Sequence, residues 1–215
     1  WVVDSFTQEG EVSVDILFVI DNSGSMYSNQ LNLVNNFDSF INAFGSAGVD
    51  YHIALITTDN ASFVGDIITA STTDPVTEFN DQVDAIGTTG SAYERGLLYA
   101  YNATSSGGDA SSTSSIGFLR ESARLVVVYV SDEPDGGGSS MTPSDHSAHL
   151  LSLKSSSDLV VAHAVAGDYP SGCSTNGGAQ FGDGYYDVVS DLGGTFMSIC
   201  AADWSATMDT LARDS

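Results

Sequence analysis

Val14-Asp15-Ile16-Leu17-Phe18-Val19-Ile20-Asp21-Asn22-Ser23-Gly24-Ser25-Met26 is an apolar, β-branched run that stops abruptly in an Asp-x-Ser-x-Ser loop. The run reads as a strand buried on both faces, as in a parallel sheet covered by helices. Asp21, Asn22 and Gly24 break it, and helical spacing resumes over residues 30–44. The loop is therefore a strand-to-helix turn at the carboxyl end of a central strand, where open α/β sheets bind ligands. Asp21, Ser23 and Ser25 offer one carboxylate and two hydroxyls. Such hard oxygens suit Mg²⁺, Ca²⁺ or Mn²⁺ and argue against zinc or copper. The same short polar residues also build ordinary turns and helix caps, so the loop by itself leaves both readings open.

Outward from this stretch, Leu31, Val34, Phe37, Phe40, Ile41 and Phe44 recur at three and four and predict an amphipathic helix that ends near residues 45–48. Further strands are expected at 51–59, 125–130, 159–166 and 195–199, with a short strand broken by Gly65 at the sheet edge within 63–71. Helices are expected at 74–86, 93–101, 144–153 with Ser144 as cap, 185–192 and 204–211. Residues 105–115 and 133–143 are Gly/Ser-rich loops. Strands alternating with helices predict a doubly wound, Rossmann-like open α/β sheet, mostly parallel with one antiparallel edge strand and helices on both faces. Residues 1–12 read as a lead-in packed on the edge, and 13–215 as one domain large enough for its own core.

Twenty-eight acids stand against five cations, Arg95, Arg120, Arg124, Lys154 and Arg213, for a net charge of −23. Nucleic acid and anionic membrane are poor partners for such a surface, which attracts divalent cations and is best tolerated in salt. No apolar run is long enough to span a membrane. The start at Trp1 is expected to mark a mature product or a domain of something larger. Cys173 and Cys200 are too few for a zinc site and lack redox spacing; a disulfide is expected, with two buried thiols as the alternative.

The segment 14–26 closely resembles the first strand and metal loop of the von Willebrand factor A family. Gly90-Ser91 before a helix resembles the family's second loop, and Val126 to Asp132 its strand ending in Thr-Asp-Gly. Leu192-Gly193-Gly194-Thr195-Phe196 resembles the Gly-Gly before its last strand. The resemblance implies a metal-ion-dependent adhesion site: Asp21, Ser23, Ser25, Ser91 and Asp132 hold one divalent cation, and an acidic group of a partner completes it. Ser91 replaces the family's Thr, which leaves Thr88 and Thr89 as rivals, and Glu133 replaces its Gly. Asn22, Met26 and Glu133 are expected on the partner-binding rim. The implied function is a metal-dependent adhesion or protein-binding module of a secreted or surface-displayed, bacterial-type protein, extracellular and part of a larger chain. Alternatives are a scaffold module with a structural ion and a metal-dependent hydrolase.

Other candidates carry blander readings. Glu94, Glu133 and Asp135 are expected as solvated rim charges, His146 and His149 on a solvated helix face, and His52 and His163 as packing residues within strands. No phosphate loop, Gly-x-Ser-x-Gly elbow or His-Glu-x-x-His motif occurs, and the chain is not expected to be an enzyme.

Overall fold

A computed structural model describes residues 13–111, 117–136 and 141–215. The lead-in at 1–12 lies outside the described residues, as do parts of the loops assigned to 105–115 and 133–143. The elements run β1 (Ser13–Ile20), α1 (Tyr27–Ala47), β2 (Asp50–Thr57), β3 (Ile68–Thr69), α2 (Pro75–Ile86), α3 (Gly96–Thr104), β4 (Arg124–Ser131), α4 (Pro143–Ser152), β5 (Val160–Ala166), α5 (Tyr185–Leu192), β6 (Phe196–Ser198) and α6 (Trp204–Asp214). The sheet order is β3-β2-β1-β4-β5-β6, antiparallel only where β2 meets β3. The chain leaves β1 toward β2 and returns to its other side as β4, so the topological switch point lies between β1 and β4.

Successive side chains of a strand point to opposite faces, and β1 supplies both cores. Ile16, Phe18 and Ile20 pack under α1, α2 and α6, while Leu17 and Val19 pack under α3, α4 and α5. Phe18 sets its ring edge-on to Phe37, Phe40 and Phe79, with centroids 6.3, 5.8 and 5.4 Å away. Each such pair contributes about 0.5–1.5 kcal/mol beyond its buried area. The effect on function is positional, because α1 and α2 are fixed against the strand that presents Asp21.

The helix ends follow local chemistry. At residue 48 a glycine with φ of 67° closes α1 in the left-handed conformation. Asp74 accepts from the Thr77 N–H to cap α2, with Pro75 next in line. The cap of α4 is Thr142, which accepts from the Asp145 N–H, and not Ser144 as expected. Pro143 lacks an N–H and takes the first helical position, so the capping residue has to precede it.

At the amino end of the sheet, Asp15 is fully buried and bound to Arg120 (2.7 Å), with Lys154 at 3.6 Å. Arg120 also reaches Asp50 at 2.6 Å. Burial still pushes the Asp15 carboxyl up, against the pull of Arg120 and then Lys154. Cys173 and Cys200 form a disulfide with Cα atoms 6.3 Å apart. This is the expected disulfide, and parallel pairing of β5 with β6 brings both cysteines to the carboxyl edge of the sheet.

His146 and His149 do not lie on a solvated face. His146 is fully buried with its Nε2 against the Tyr129 hydroxyl, and His149 Nε2 lies 2.8 Å from the Thr104 hydroxyl. The reason is that α4 packs between α3 and α5 and turns this face inward. Burial lowers the His146 pKa to about 3. His163 is a packing residue, buried in β5 and accepting from the Thr195 N–H.

Candidate metal centre

Three loops meet beyond the carboxyl ends of β1, β2 and β4. The first is anchored by the Asp21 N–H donating to Val130 O (2.9 Å), which continues the β1 and β4 ladder one residue past the strand. Asp21 is fully buried; its Oδ1 accepts from the Ser23 N–H and its Oδ2 from the Ser131 hydroxyl, both at 2.7 Å. The Ser23 and Ser25 hydroxyls are 3.1 Å apart, and Ser25 donates to Asp132 Oδ1 at 3.1 Å. A polar path thus runs from the loop after β1 to the loop after β4, across the switch point. Gln30 of α1 steadies it from behind, donating to Asp21 O and Gly87 O at 2.9 Å each.

The second loop is tied to the first through its backbone, with the Gly90 N–H donating to Asn22 O at 2.8 Å. A Cβ on Gly90 would sit 2.3 Å from Asn22 Cγ, so the two loops approach as closely as a glycine allows. Ser91 donates its N–H to Asp59 (2.8 Å), and its hydroxyl accepts from the Tyr93 N–H (3.0 Å). That hydroxyl is engaged within its own turn and makes no hydrogen bond to the Asp21, Ser23, Ser25 and Asp132 set.

Burial dominates the electrostatics. It raises the Asp21 carboxyl, and with Asp21's charge next in weight it lifts Asp132 to about 6 and Glu94 to about 8. Glu133 is raised by the same two causes. These are acids crowded together without a counter-ion, the arrangement a divalent cation relieves. The donors fit such an ion, being carboxylate and hydroxyl oxygens. Among the described residues no three Asp, Glu, His or Cys side chains gather into a metal cluster, so hydroxyls would have to share the work.

A family model for the von Willebrand factor type A domain matches residues 15–172. The chain belongs to that family. No curated protein matches it. Among solved structures, this von Willebrand A chain is similar to proximal thread matrix protein 1 from the mussel byssus with a zinc-occupied MIDAS motif, at TM-score 0.56 and 16% identity over 94% of this chain and 45% of that one. It is also similar to a von Willebrand factor type A protein from Catenulispora acidiphila, at TM-score 0.55 and 16% identity over 95% and 41% of the two chains. The pilus adhesin SpaC from Lactobacillus rhamnosus GG is a further match, at TM-score 0.59 and 13% identity over 96% and 30%. The chain spans less than half the length of each of these three, and at such identities the likeness is one of fold.

Within the von Willebrand A fold two expectations need correction. Met26 is not on the rim: its side chain is fully buried in the core under α1, because the short 3-10 turn Gly24–Met26 rotates it inward. Glu94 is not a solvated charge but 1% exposed. Helix α3 begins at Gly96, leaving Glu94 in a loop that the Gly136 N–H holds through Glu94 O at 2.7 Å. Asn22 and Glu133 are half-buried at the edge of the site, and Asp135 accepts from the Leu97 N–H at the start of α3. No spacing motif pointed to Glu94; the one available signal was an acid within the second loop.

Proposed function

We propose that Asp21, Ser23, Ser25, Ser91 and Asp132 hold one divalent cation and that the chain is a metal-dependent adhesion or protein-binding module. The observation that carries this reading is the hydrogen-bonded path from Asp21 through Ser23 and Ser25 to Asp132, which assembles hard oxygens from two loops at the switch point. Mg²⁺, Ca²⁺ or Mn²⁺ suits these donors. The zinc-occupied site of the mussel protein supports a divalent ion in this fold. Ser91 would join by turning its hydroxyl from the Tyr93 N–H, with Thr88 and Thr89 as rivals.

When bound, the cation supplies a positive, Lewis-acidic point to which a partner's carboxylate can add. Asn22 and Glu133 flank that point and would select among acidic partners. With 28 acids on the chain, attraction at long range is excluded and recognition is short-ranged. A binding role and not an enzymatic one is supported by the adhesin and the matrix protein among the similar structures. The same neighbours support an extracellular or cell-surface setting within a larger protein, and no helix of the described residues is long and apolar enough to cross a membrane.

Thermal melts with Mg²⁺, Ca²⁺ and Mn²⁺ test the site. Saturating ion at a hundredfold excess over Kd should stabilise by about 2.7 kcal/mol, and Asp21→Ala should remove most of that. An equal gain in the variant would place the ions elsewhere on the acidic surface and refute the reading.

A further inference from the structure

Near Asp21, several buried oxygens have no hydrogen-bond partner. They are Glu94 Oε1 and Oε2, Thr58 Oγ1 and Asn22 Oδ1. Thr58 and Glu94 are each 1% exposed, so water does not satisfy them from outside. The neighbouring Thr58 hydroxyl favours the charged form of Glu94 only in part, and a buried carboxylate so weakly supported is strongly unfavourable unless an opposite charge or a proton neutralises it.

Glu94 is not a loosely placed side chain. Its carbonyl accepts from the Gly136 N–H, and the next residue's N–H donates to Thr58 O, which clamps it between the loops that follow β2 and β4. The charges acting on it are those of Asp21, Glu133 and Asp59, all negative. The chain's own side-chain cations are engaged elsewhere. Arg120 and Lys154 neutralise Asp15 at the other end of the sheet. Arg124 binds the carbonyls of Asp214 and Ser215, Arg213 donates to Asp209 O, and Arg95 lies over the Tyr99 ring. Among the described residues no side-chain cation is placed to neutralise Glu94, so a proton or an ion from solution has to do so.

We propose that Glu94 is a further acidic ligand of the cation site, outside the Asp-x-Ser-x-Ser, Ser91 and Asp132 set; this rests on the reading of that site as a cation site. Glu94, held beside the loop after β2, would then contribute a carboxylate that offsets the ion's charge. Asp21, Asp132 and Glu94 do not form a cluster as they stand, so Glu94 would have to turn toward the ion to join them, and the three carboxylates would then exceed its two charges. A partner's acid consequently competes with Glu94 for the same ion, and the domain carries its own internal stand-in for the partner.

The test is Mn²⁺ binding to the chain, followed by electron paramagnetic resonance and calorimetry at one pH, for wild type, Glu94→Gln, Glu94→Asp and Asp21→Ala. Glu94→Gln should weaken Mn²⁺ binding by about 10–100-fold. Glu94→Asp keeps the charge but withdraws it by one methylene and should fall between; it decides the matter if the amide variant does not fold. Melting in EDTA should show Glu94→Gln no less stable than wild type, because an unpaired buried acid has been removed. Equal Mn²⁺ affinity in wild type and both Glu94 variants, with binding lost in Asp21→Ala, would overturn the role of Glu94 and leave the cation site standing. Absence of Mn²⁺ binding in wild type would overturn the site itself, and the Glu94 role with it.

Discussion

The metal-free protein should lose stability as pH rises from 5 to 7, the reverse of the behaviour of a protein held by carboxylate salt bridges. Burial, and then the charge of Asp21, push the Glu94 carboxyl in the native state up to about 8 from its ordinary 4.5. Between those values the native state keeps a proton that the unfolded chain has released, so the slope of stability against pH is negative. Each pH unit of such a difference is worth about 1.4 kcal/mol, which gives on the order of 3 kcal/mol for Glu94 between pH 5 and 7. Asp132, raised from 3.8 to about 6, acts in the same direction below pH 6. For a chain of this size each kcal/mol moves Tm by about 2–4 °C, so the fall should be roughly 6–12 °C. The assay is a series of melts in EDTA at high salt, where the repulsion of a −23 surface is screened. Glu94→Gln should flatten the slope, and saturating Mn²⁺ should reduce it because the ion binds the ionised form. A Tm that is constant or rises over this range, or an unchanged slope in Glu94→Gln, would refute the reasoning.

Three further outcomes follow from named contacts. Replacing Cys200 with Ser opens a cross-link spanning 27 residues and should cost about 3–4 kcal/mol. Because the Gln180 N–H of the bridged loop donates to Asp132 O, Mn²⁺ affinity should fall as well, and a lower Tm at unchanged affinity would show the loop uncoupled from the site. Arg120→Ala leaves Asp15 buried with only Lys154 nearby and should cost about 3–5 kcal/mol by urea unfolding; a loss under about 1 kcal/mol would mean that Asp15 takes up a proton instead. Gly90→Ala drives a methyl into Asn22 and should cost about 1–3 kcal/mol while weakening Mn²⁺ binding; unchanged binding would show that the second loop can move without the first.

The fold was legible because its signals are long and redundant. Doubly apolar runs at β1, β4 and β5 can only be satisfied between two helical layers, and β3 was marked as an edge by its brevity and glycine. The first metal loop was legible for the same reason, since one strand carries it out of the core at a known place. Met26 was misplaced because a reading by sequence neighbours puts every residue of a loop on its rim, whereas a single 3-10 turn reverses which side faces inward. His146 and His149 were misplaced because an apparently polar helix face says nothing about the second helix that covers it.

Glu94 shows where such reading stops. A helix begun at Tyr93 would place that glutamate in the first turn, a position where acids favour the positive helix end and remain in solvent. Helix α3 instead begins at Gly96, where a Cβ would stand 2.7 Å from the Tyr185 hydroxyl, so the start of α3 packs closely against α5. Tyr185 is buried against Tyr129 of β4, whose carboxyl end delivers Asp132. The residues before Gly96 form a loop, which the Gly136 N–H holds by Glu94 O. The inward position of Glu94 thus goes with long-range contacts, from residue 94 to 136 and from 95 to 58, which no local pattern around residue 94 contains.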